Sequence, residues 1–304
     1  MPARSPLAPT PPPRERPLVL LVDGSYALFR AYYAIRGMRA ADGMPTGAIY
    51  GLFKQMSALV ERFAPDRVLC AFDENDTGFR SEIDPTYKAN RGETPEDLAL
   101  QWPIARELVE KLGVQTFAHD RWEADDIIAT IAGRAVAAGM DVVVSSADKD
   151  LGQLVLDGAP SIVQHDPIKD RVLDAAGVTE RWGVPPAQVP EVQALVGDAV
   201  DNVRGVKGIG AKTAARLVAE FGTVEKLYAR LDEVRPDRIR GLLEAGRDEA
   251  KLALRLVRLA DDADLGVDWG VDLGGLTPRP DPDHDALELA RRLRFRGLES
   301  LLAG

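Results

Sequence analysis

The chain has 304 residues, 45% of them hydrophobic, so it is long enough for one large or two ordinary domains with buried cores. Its longest apolar runs fall far short of the roughly 20 residues that a membrane helix needs, and its single cysteine, Cys70, excludes an internal disulfide and favours the cytoplasm. A formal charge of -10 argues mildly against a nucleic-acid partner, although segments 78–91 and 202–217 are locally cationic.

The first 17 residues are rich in proline and include basic residues, but they contain no apolar central stretch. This composition is typical neither of a secretory signal nor of a folded segment. We therefore predict a disordered tail over residues 1–17.

Three apolar, β-branched runs then end in aspartate. They are "VLLVDG" at Asp23, "RVLCAFD" at Asp73, and "VVVSSADKD" at Asp148 and Asp150. Amphipathic helical stretches lie between them, and strands that alternate with helices predict a parallel α/β sheet over residues 18–184. Sites in such sheets form beyond the carboxyl ends of the strands, so we expect these aspartates to meet along one edge.

The stretch "RWEADDIIAT" places Glu123, Asp125 and Asp126 at the start of an apolar helix. The positive end of a helix stabilises acidic side chains by about 0.3–1 kcal/mol each. That effect accounts for two acids more easily than for three. A divalent cation bound between them is the alternative that this crowding favours.

From about residue 185 the pattern changes to short helices separated by glycine and proline. We predict a helical region over residues 185–275 and a C-terminal loop and helix over residues 276–304. The stretch "DWGVDLGGLTPRPDPD" is typical of a loop.

The segment "GVKGIGAKT" resembles a nucleotide-binding P-loop but differs from it by one residue, because Ala211 separates Gly210 from Lys212. A glycine-rich turn between two short helices has another use, since its exposed N–H groups bind DNA phosphates without reading sequence. Lys207, Lys212 and Arg216 would add positive charge. An ordinary corner between helices, with no ligand, stays open as the alternative.

Nine carboxylates from these segments are candidates for a single site: Asp23, Asp73, Glu123, Asp125, Asp126, Asp148, Asp150, Asp198 and Asp201. For a strand-end aspartate taken alone, a turn or a helix cap is the open alternative. Together, so many carboxylates require cations, and oxygen-only ligands select hard ions such as Mg²⁺ or Mn²⁺. Two such ions about 4 Å apart form a site that cleaves phosphodiester bonds with water as the nucleophile.

This set of motifs resembles the 5′–3′ exonuclease domain of bacterial DNA polymerase I, in the flap endonuclease family. The resemblance is carried by "LLVDGSYALFRAYYA", "AFDENDTGFRSEIDPTYKANR", "WEADDIIATIA", "SSADKDLGQL" and "LVGDAVDNVRGVKGIGAKTAARL", and it runs from Leu18 to Leu265. It implies a PIN-like α/β core and a structure-specific 5′ nuclease with two or three metal ions. Such an enzyme cleaves 5′ flaps, nicked or gapped duplexes and RNA primers in DNA replication and repair.

The resemblance also implies roles for individual residues. The nine acids would hold the metals, with Asp125 and Asp148 essential to catalysis. Residues 74–95 would form an arch over the 5′ strand, in which Lys88 and Arg91 contact the scissile phosphate and Tyr87 stacks on a base. For Tyr87, a partly buried loop aromatic is the open alternative. The remaining DNA contacts would be Arg30, Arg80, Lys207, Gly208, Gly210, Lys212 and Thr213, the last five in a helix–three-turn–helix that also binds K⁺.

One departure from the family is Arg204, which stands where relatives commonly have proline, so the K⁺ geometry stays open. We expect a monomer in the cytoplasm, associated with the nucleoid, and a stand-alone enzyme rather than a fragment of a polymerase. Two other functions stay open. A nucleotide triphosphatase would use the glycine segment, and a silent binder of branched DNA would keep the fold without the activity.

Overall fold

A computed structural model describes residues 5–7, 11–74, 78–266 and 281–303. Its first part is a sheet whose central strands are buried on both faces, as expected for continuous apolar runs. The strands of this sheet are β1 Leu18–Asp23, β2 Arg67–Ala71, β3 Gln115–Phe117, β4 Asp141–Ser145, β5 Ile162–Asp166 and β6 Arg171–Leu173.

Helices cover both faces of the sheet. Those that accompany it in sequence are α1 Gly24–Ala34, α2 Gly47–Phe63, α3 Phe79–Ile83, α4 Glu96–Ala99, α5 Gln101–Lys111, α6 Ala124–Ala137 and α7 Ala175–Trp182. The later elements are α8 Val189–Val196, β7 Gly197–Asp198, β8 Val203–Arg204, α9 Ala211–Phe221, α10 Val224–Ala229, α11 Asp237–Ala245, α12 Arg247–Val257, α13 Ala286–Arg292 and α14 Arg296–Ala303. The predicted α/β sheet followed by a helical region is confirmed.

The strand order is β3-β2-β1-β4-β5-β6, and β1 pairs in parallel with both β2 and β4. The chain therefore leaves β1 toward one side and later returns on the other, which makes the carboxyl end of β1 a topological switch point where ligands bind. Among the described strands of this sheet, β6 alone departs from the expected parallel pairing. It follows β5 after a short turn, and strands joined so closely must run antiparallel.

Two hydrophobic cores lie on opposite faces of the sheet. One contains Leu20 and Val22 of β1 with α1, α2, α5, α13 and α14. The other contains Val19 and Leu21 with α6 and with Leu259 beyond α12. A third core holds α8 to α12 together. The helical region is thus attached on the α6 side, whereas α1 and α2 cover the opposite face.

Some predicted segments fall outside the described residues. Residues 267–280, which include most of the loop predicted before the C-terminal helix, are among them. In the predicted tail, Ser5 and Leu7 are buried, and the Ser5 hydroxyl donates to the carbonyl of Leu112. The domain bounds and the disorder of residues 1–17 stay predictions. None of the described helices is long and apolar enough to cross a membrane.

Candidate metal centre and nucleic-acid interface

Asp23 ends β1 and is almost fully buried at the switch point. One carboxylate oxygen caps α1 by accepting from the amide of Tyr26 at 2.9 Å, and the other accepts from the Ser146 hydroxyl at 2.8 Å. These bonds fix the side chain at the edge of the sheet. They use one contact on each oxygen, so further acceptor capacity is available to a ligand.

Asp73 connects the end of β2 to the start of α6. Its Oδ1 accepts from the amide of Ala124 at 2.8 Å, and its own amide donates to the Ser25 hydroxyl at 2.7 Å. This arrangement brings the acid-rich first turn of α6 to the same edge as Asp23. The expectation that the strand-end aspartates approach one another with this helix start is supported by these contacts.

Asp148 and Asp150 follow β4 in a tight turn. Asp148 Oδ1 accepts from the amide of Asp150 at 2.8 Å, and the amide of Asp148 donates to Ser146 Oγ at 3.1 Å. The side chain of Gln193 on α8 donates to Asp150 Oδ1 at 2.5 Å. The helical region therefore contacts the acid cluster directly.

Four of these carboxylates lie close enough for their charges to act on one another: Asp23, Asp73, Asp125 and Asp148. Burial, together with the charges of Asp73 and Asp148, raises the pKa of Asp23 to about 7. Burial also raises the pKa of Asp125 well above its usual range, again with Asp148 and Asp23 contributing. Buried carboxylates this close resist simultaneous ionisation unless cations compensate them. Asp23 ends β1, Asp73 and Asp148 follow β2 and β4, and Asp125 lies in α6, so the four residues are widely separated in sequence.

Asp150, Asp198 and Asp201 form a second group within the described chain. One oxygen of each lies within 4.8 Å of the others, a spacing that could hold a metal ion. Burial and the charge of Asp148 raise the pKa of Asp150 to about 7. The ammonium of Lys149 lies 2.6 Å from Asp198 and offsets part of the negative charge.

Two cations of the predicted arch lie against these acids. Lys88 Nζ is 2.5 Å from Glu123 Oε1, and an Arg91 guanidinium nitrogen is 2.5 Å from Asp201 Oδ1. Burial lowers the pKa of Lys88, but Glu123 and Asp201 raise it more, so the ammonium stays charged. Lys88 also adopts a left-handed backbone with φ 56°. Such strained residues cluster at functional sites.

Two predicted roles do not fit the structure. Asp126 is fully buried, and both its oxygens accept from Arg80, at 2.6 and 2.8 Å. Asp126 also accepts from the amide of Ala260 at 2.9 Å, which leaves little capacity for a metal. Arg80 is 2% exposed and donates to the carbonyl of Leu256 at 2.7 Å. Asp126 and Arg80 thus join α6 to the end of α12, and neither is placed to contact a metal or DNA.

The position of Tyr87 also differs from the role that the resemblance implies, which is stacking on a base. It is 8% exposed, packs within the third core, and donates its hydroxyl to Glu123 at 3.1 Å. A ring so enclosed has no face open for stacking on a base. In this structure Tyr87 is a buried loop aromatic, which was the alternative considered from the sequence.

The glycine-rich segment forms a turn between the β7–β8 hairpin and α9. Gly208 has φ 89°, and a Cβ there would lie 3.2 Å from Leu242, so the turn favours glycine at this position. Gly210 is the N-cap of α9, and Thr213 lies in its first turn. Lys207 and Lys212 are exposed beside the turn. The hairpin carries Asp198, which ties the turn to the acid cluster.

A pocket beside the acids contains aromatic residues that the sequence did not single out. It has a volume of about 630 Å³ and is lined by Phe29, Tyr33 and Trp102 together with Asp73 and Lys88. Phe29 and Trp102 meet edge to face at 5.6 Å. The only sequence signal was the spacing of two aromatics four residues apart on α1, which a core-facing stripe would also show.

Models of two protein domains match the chain in succession. The "5′-3′ exonuclease, N-terminal resolvase-like domain" matches residues 18–183, and the "5′-3′ exonuclease, C-terminal SAM fold" matches residues 184–274. DNA polymerase I of Rhizobium leguminosarum is 39% identical over 258 residues, which are 82% of this chain and 25% of that protein. The thermostable DNA polymerase I of Thermus thermophilus is 36% identical over 281 residues, 92% of this chain and 32% of that protein. The chain thus spans about a quarter to a third of these relatives.

Solved structures share the fold. T5 5′-exonuclease with bound divalent metal ions (zinc) has a TM-score of 0.68 at 22% identity, over 94% of this chain and 98% of that one. A T5 flap endonuclease in a pseudo-enzyme-product complex with DNA and metal ions has a TM-score of 0.67 at 21% identity, over 94% and 100% of the two chains. At such identities the likeness establishes the architecture.

Proposed function

Because this chain belongs to the 5′–3′ exonuclease family, we propose that it is a metal-dependent 5′ nuclease that hydrolyses phosphodiester bonds in DNA flaps, nicks and RNA primers. One observation carries the proposal. Carboxylates from four elements of the sheet edge converge beside Lys88, which lies 2.5 Å from Glu123. That combination provides ligands for cations and a positive charge for a phosphate within one site.

The donor set fits hard divalent ions. All candidate ligands are carboxylate oxygens, which suit Mg²⁺ or Mn²⁺ better than zinc. Asp150, Asp198 and Asp201 would hold one ion. Asp23, Asp73, Asp125 and Asp148 would hold the other or others, since they share one electrostatic environment. When bound, the ions stabilise negative charge on the phosphate and on the leaving oxygen and favour ionisation of the attacking water.

The chain's own residues supply binding and orientation. A phosphate that enters the site competes with Glu123 for Lys88 and with Asp201 for Arg91. Lys88 and Arg91 would therefore pair with carboxylates in the free protein and with the phosphate in the complex. Phe29 and Tyr33 line the neighbouring pocket, which would accommodate unpaired bases of the 5′ strand.

The glycine turn is proposed to hold the duplex downstream of the cleaved bond through its N–H groups, with Lys207 and Lys212 beside it. A K⁺ ion bound there and a monomeric, nucleoid-associated enzyme in the cytoplasm belong to the same proposal. The nucleotide-hydrolase alternative gains no support, because the segment follows the two-residue strand β8 and not a buried strand of the parallel sheet.

Cleavage of a 5′-labelled flap in the presence of Mn²⁺ tests the proposal. We expect short labelled products with 3′-hydroxyl ends and none after chelation. ATP hydrolysis without DNA would favour the nucleotide hydrolase instead. Tight flap binding with no cleavage at any Mn²⁺ concentration would favour the silent binder.

Replacing Lys88 with alanine should slow the chemical step more than it weakens DNA binding. The loss of one preorganised charge at a reacting phosphate costs about 10²–10³-fold in rate. Single-turnover cleavage at saturating enzyme measures this loss. Lys251→Ala removes the same charge from the exposed surface of α12 and should leave the rate unchanged. An unaltered single-turnover rate in Lys88→Ala would remove Lys88 from the reacting site.

Metal binding should strengthen as the pH rises through about 7, because Asp23 and Asp150 hold protons up to that value in the metal-free protein. Mn²⁺ displaces these protons, so its affinity should increase about tenfold per pH unit for each proton displaced. Calorimetric titration with Mn²⁺ at about pH 6 and about pH 8 measures the change.

The same shifts predict an opposite trend in the stability of the metal-free protein. Between the ordinary carboxyl pKa of 3.8 and the raised value of about 7, the folded state keeps protons that the unfolded state releases. The free energy of unfolding therefore falls as pH rises across this window. Asp150→Asn should flatten both trends. Equal Mn²⁺ affinities at the two pH values would contradict this account of the cluster.

A further inference from the structure

Two of the three acids in the second group, Asp150, Asp198 and Asp201, are paired with a cation from the chain itself. Lys149 Nζ lies 2.6 Å from Asp198 Oδ2, and an Arg91 guanidinium nitrogen lies 2.5 Å from Asp201 Oδ1. Both distances are as short as those of charge-assisted hydrogen bonds. The chain therefore already offsets two of the three negative charges that a metal ion in this group would neutralise.

The acids at the sheet edge have neutral donors instead. Asp23 accepts from the amide of Tyr26 at 2.9 Å and from the hydroxyl of Ser146 at 2.8 Å. Asp148 accepts from the amide of Asp150 at 2.8 Å. Neither carboxylate forms an ion pair with a lysine or arginine in the described part of the chain. An ion that binds at the sheet edge thus displaces no cation of the protein, whereas an ion in the second group must compete with two.

The two cations of the second group are attached to the protein in different ways. Arg91 belongs to the predicted arch, and its side chain is 47% exposed. Lys149 instead lies in the turn between Asp148 and Asp150. In this turn the carbonyl of Asp148 accepts from the side chain of Gln164, and the amide of Asp150 donates to Asp148 Oδ1. A phosphate can therefore attract Arg91 away from its acid, whereas the backbone of Lys149 is held among the metal ligands.

The ammonium of Lys149 contacts one particular oxygen of Asp198. Oδ1 of Asp198 accepts from the amide of Val200 at 2.9 Å, and Oδ2 is the oxygen that Lys149 contacts. Asp198 is 5% exposed, so solvent and salt screen this ion pair only weakly. A lysine ammonium is charged at neutral pH and repels a divalent ion at the same carboxylate. An ion that binds to Oδ2 therefore requires Lys149 to withdraw, and the partly exposed lysine side chain can do so toward solvent.

We propose that Lys149 is an internal counter-ion of the second group, which competes with a divalent ion for Asp198 and thereby lowers the metal affinity of that group. The inference rests on the proposed function, because the ion is one of those that the nuclease would use. Lys149 is a positioning residue, since it acts through Asp198 and not on the substrate. It stabilises Asp198 before the ion binds and sets the metal concentration at which a two-metal reaction begins.

Calorimetric titration of the full chain with Mn²⁺, without DNA, tests the role of Lys149. Lys149→Met removes the charge and keeps an unbranched side chain. It should tighten one Mn²⁺ binding event about tenfold, as expected when the ion no longer has to displace a partly buried ion pair. Asp198→Asn should weaken or abolish the same event, which assigns that event to the second group. Damage to the fold would weaken metal binding, so a gain in affinity is specific to the proposal.

Further variants separate the charge of Lys149 from its shape. Lys149→Arg keeps a positive charge and should retain the wild-type affinity for Mn²⁺, whereas Lys149→Gln removes the charge and should behave like Lys149→Met. Lys251→Met removes an exposed lysine of α12 and should change nothing. Without metal, Lys149→Met should lower the urea midpoint of unfolding, because the buried Asp198 then loses its counter-ion. Unchanged or weaker Mn²⁺ binding in both Lys149→Met and Lys149→Gln would overturn the proposal.

Failure of this proposal and failure of the nuclease function would give different results. Metal binding needs no cleavage. Tighter Mn²⁺ binding in Lys149→Met, with no flap cleavage by the wild-type protein, would support the role of Lys149 and refute the nuclease function. Flap cleavage by the wild-type protein, with unchanged Mn²⁺ binding in Lys149→Met, would support the nuclease function and refute the role of Lys149.

Discussion

Replacing Asp148 with asparagine is expected to reduce flap cleavage by about 10³-fold or more while DNA binding stays measurable. The expected size corresponds to the loss of several kcal/mol of metal-assisted stabilisation of the transition state. Asp148 is the carboxylate through which the two acid groups interact, since its charge raises the pKa of Asp23, Asp125 and Asp150. Asparagine has the same shape and still accepts the 2.8 Å hydrogen bond from the amide of Asp150. The turn should therefore persist and only the charge should be lost.

An aspartate-to-asparagine replacement outside the acid cluster provides the control. It shows whether lost activity requires the loss of charge at the cluster itself. Asp174 is an exposed N-cap whose side chain accepts from the amide of Gly177 at 2.8 Å, and asparagine caps helices as well as aspartate. Asp174→Asn should therefore keep full activity. Asp125→Asn should behave like Asp148→Asn. The measurement is single-turnover cleavage of a 5′ flap with saturating Mn²⁺, with binding followed by fluorescence anisotropy. Near-wild-type turnover in Asp148→Asn would remove the acid cluster from the reaction.

The strand-end carboxylates could be anticipated because their positions follow from topology. Asp23, Asp73 and Asp148 each end a buried run, and the ends of parallel strands share one edge. The sequence also predicted that a helix with acids in its first turn approaches that edge. The contact that achieves this approach, the amide of Ala124 donating to Asp73, depends on a tertiary arrangement that no local pattern specifies.

The contacts of Asp126 differ from those of a metal ligand for a reason of helix geometry. Adjacent residues on an α-helix point about 100° apart, since 3.6 residues make one turn. Asp125 shares the environment of the other acids, whereas Asp126 is directed to Arg80. The sequence shows three acids close together but does not show which face of α6 meets the sheet edge.

The cationic contacts could not be derived from spacing because they join distant segments. Arg91 pairs with Asp201 and Lys88 with Glu123 across long stretches of chain. Lys88 and Arg91 were singled out by the family resemblance. Lys149 was not, although it lies 2.6 Å from Asp198, because a lysine between two aspartates is equally typical of a solvated turn.

Replacing Arg80 with alanine is expected to lower the free energy of unfolding by about 3–5 kcal/mol, as for other buried ion pairs that lose one partner. The variant would leave the carboxylate of Asp126 fully buried without its two charge-assisted hydrogen bonds. It would also free the carbonyl of Leu256, which accepts from Arg80 at 2.7 Å. Urea denaturation measures the loss. The exposed pair of Arg121 and Glu82, 3.0 Å apart, provides the comparison, and Arg121→Ala should cost about 1 kcal/mol or less.

A double variant distinguishes a buried ion pair from a DNA contact. Arg80→Met combined with Asp126→Leu removes both charges and should recover much of the stability that Arg80→Ala loses, since a hydrophobic replacement of a buried pair is often near neutral. If Arg80 contacted DNA instead, Arg80→Ala would keep its stability and lose affinity. The structure predicts the reverse order of effects, because a guanidinium that is 2% exposed cannot reach a phosphate unless α6 and the end of α12 first separate.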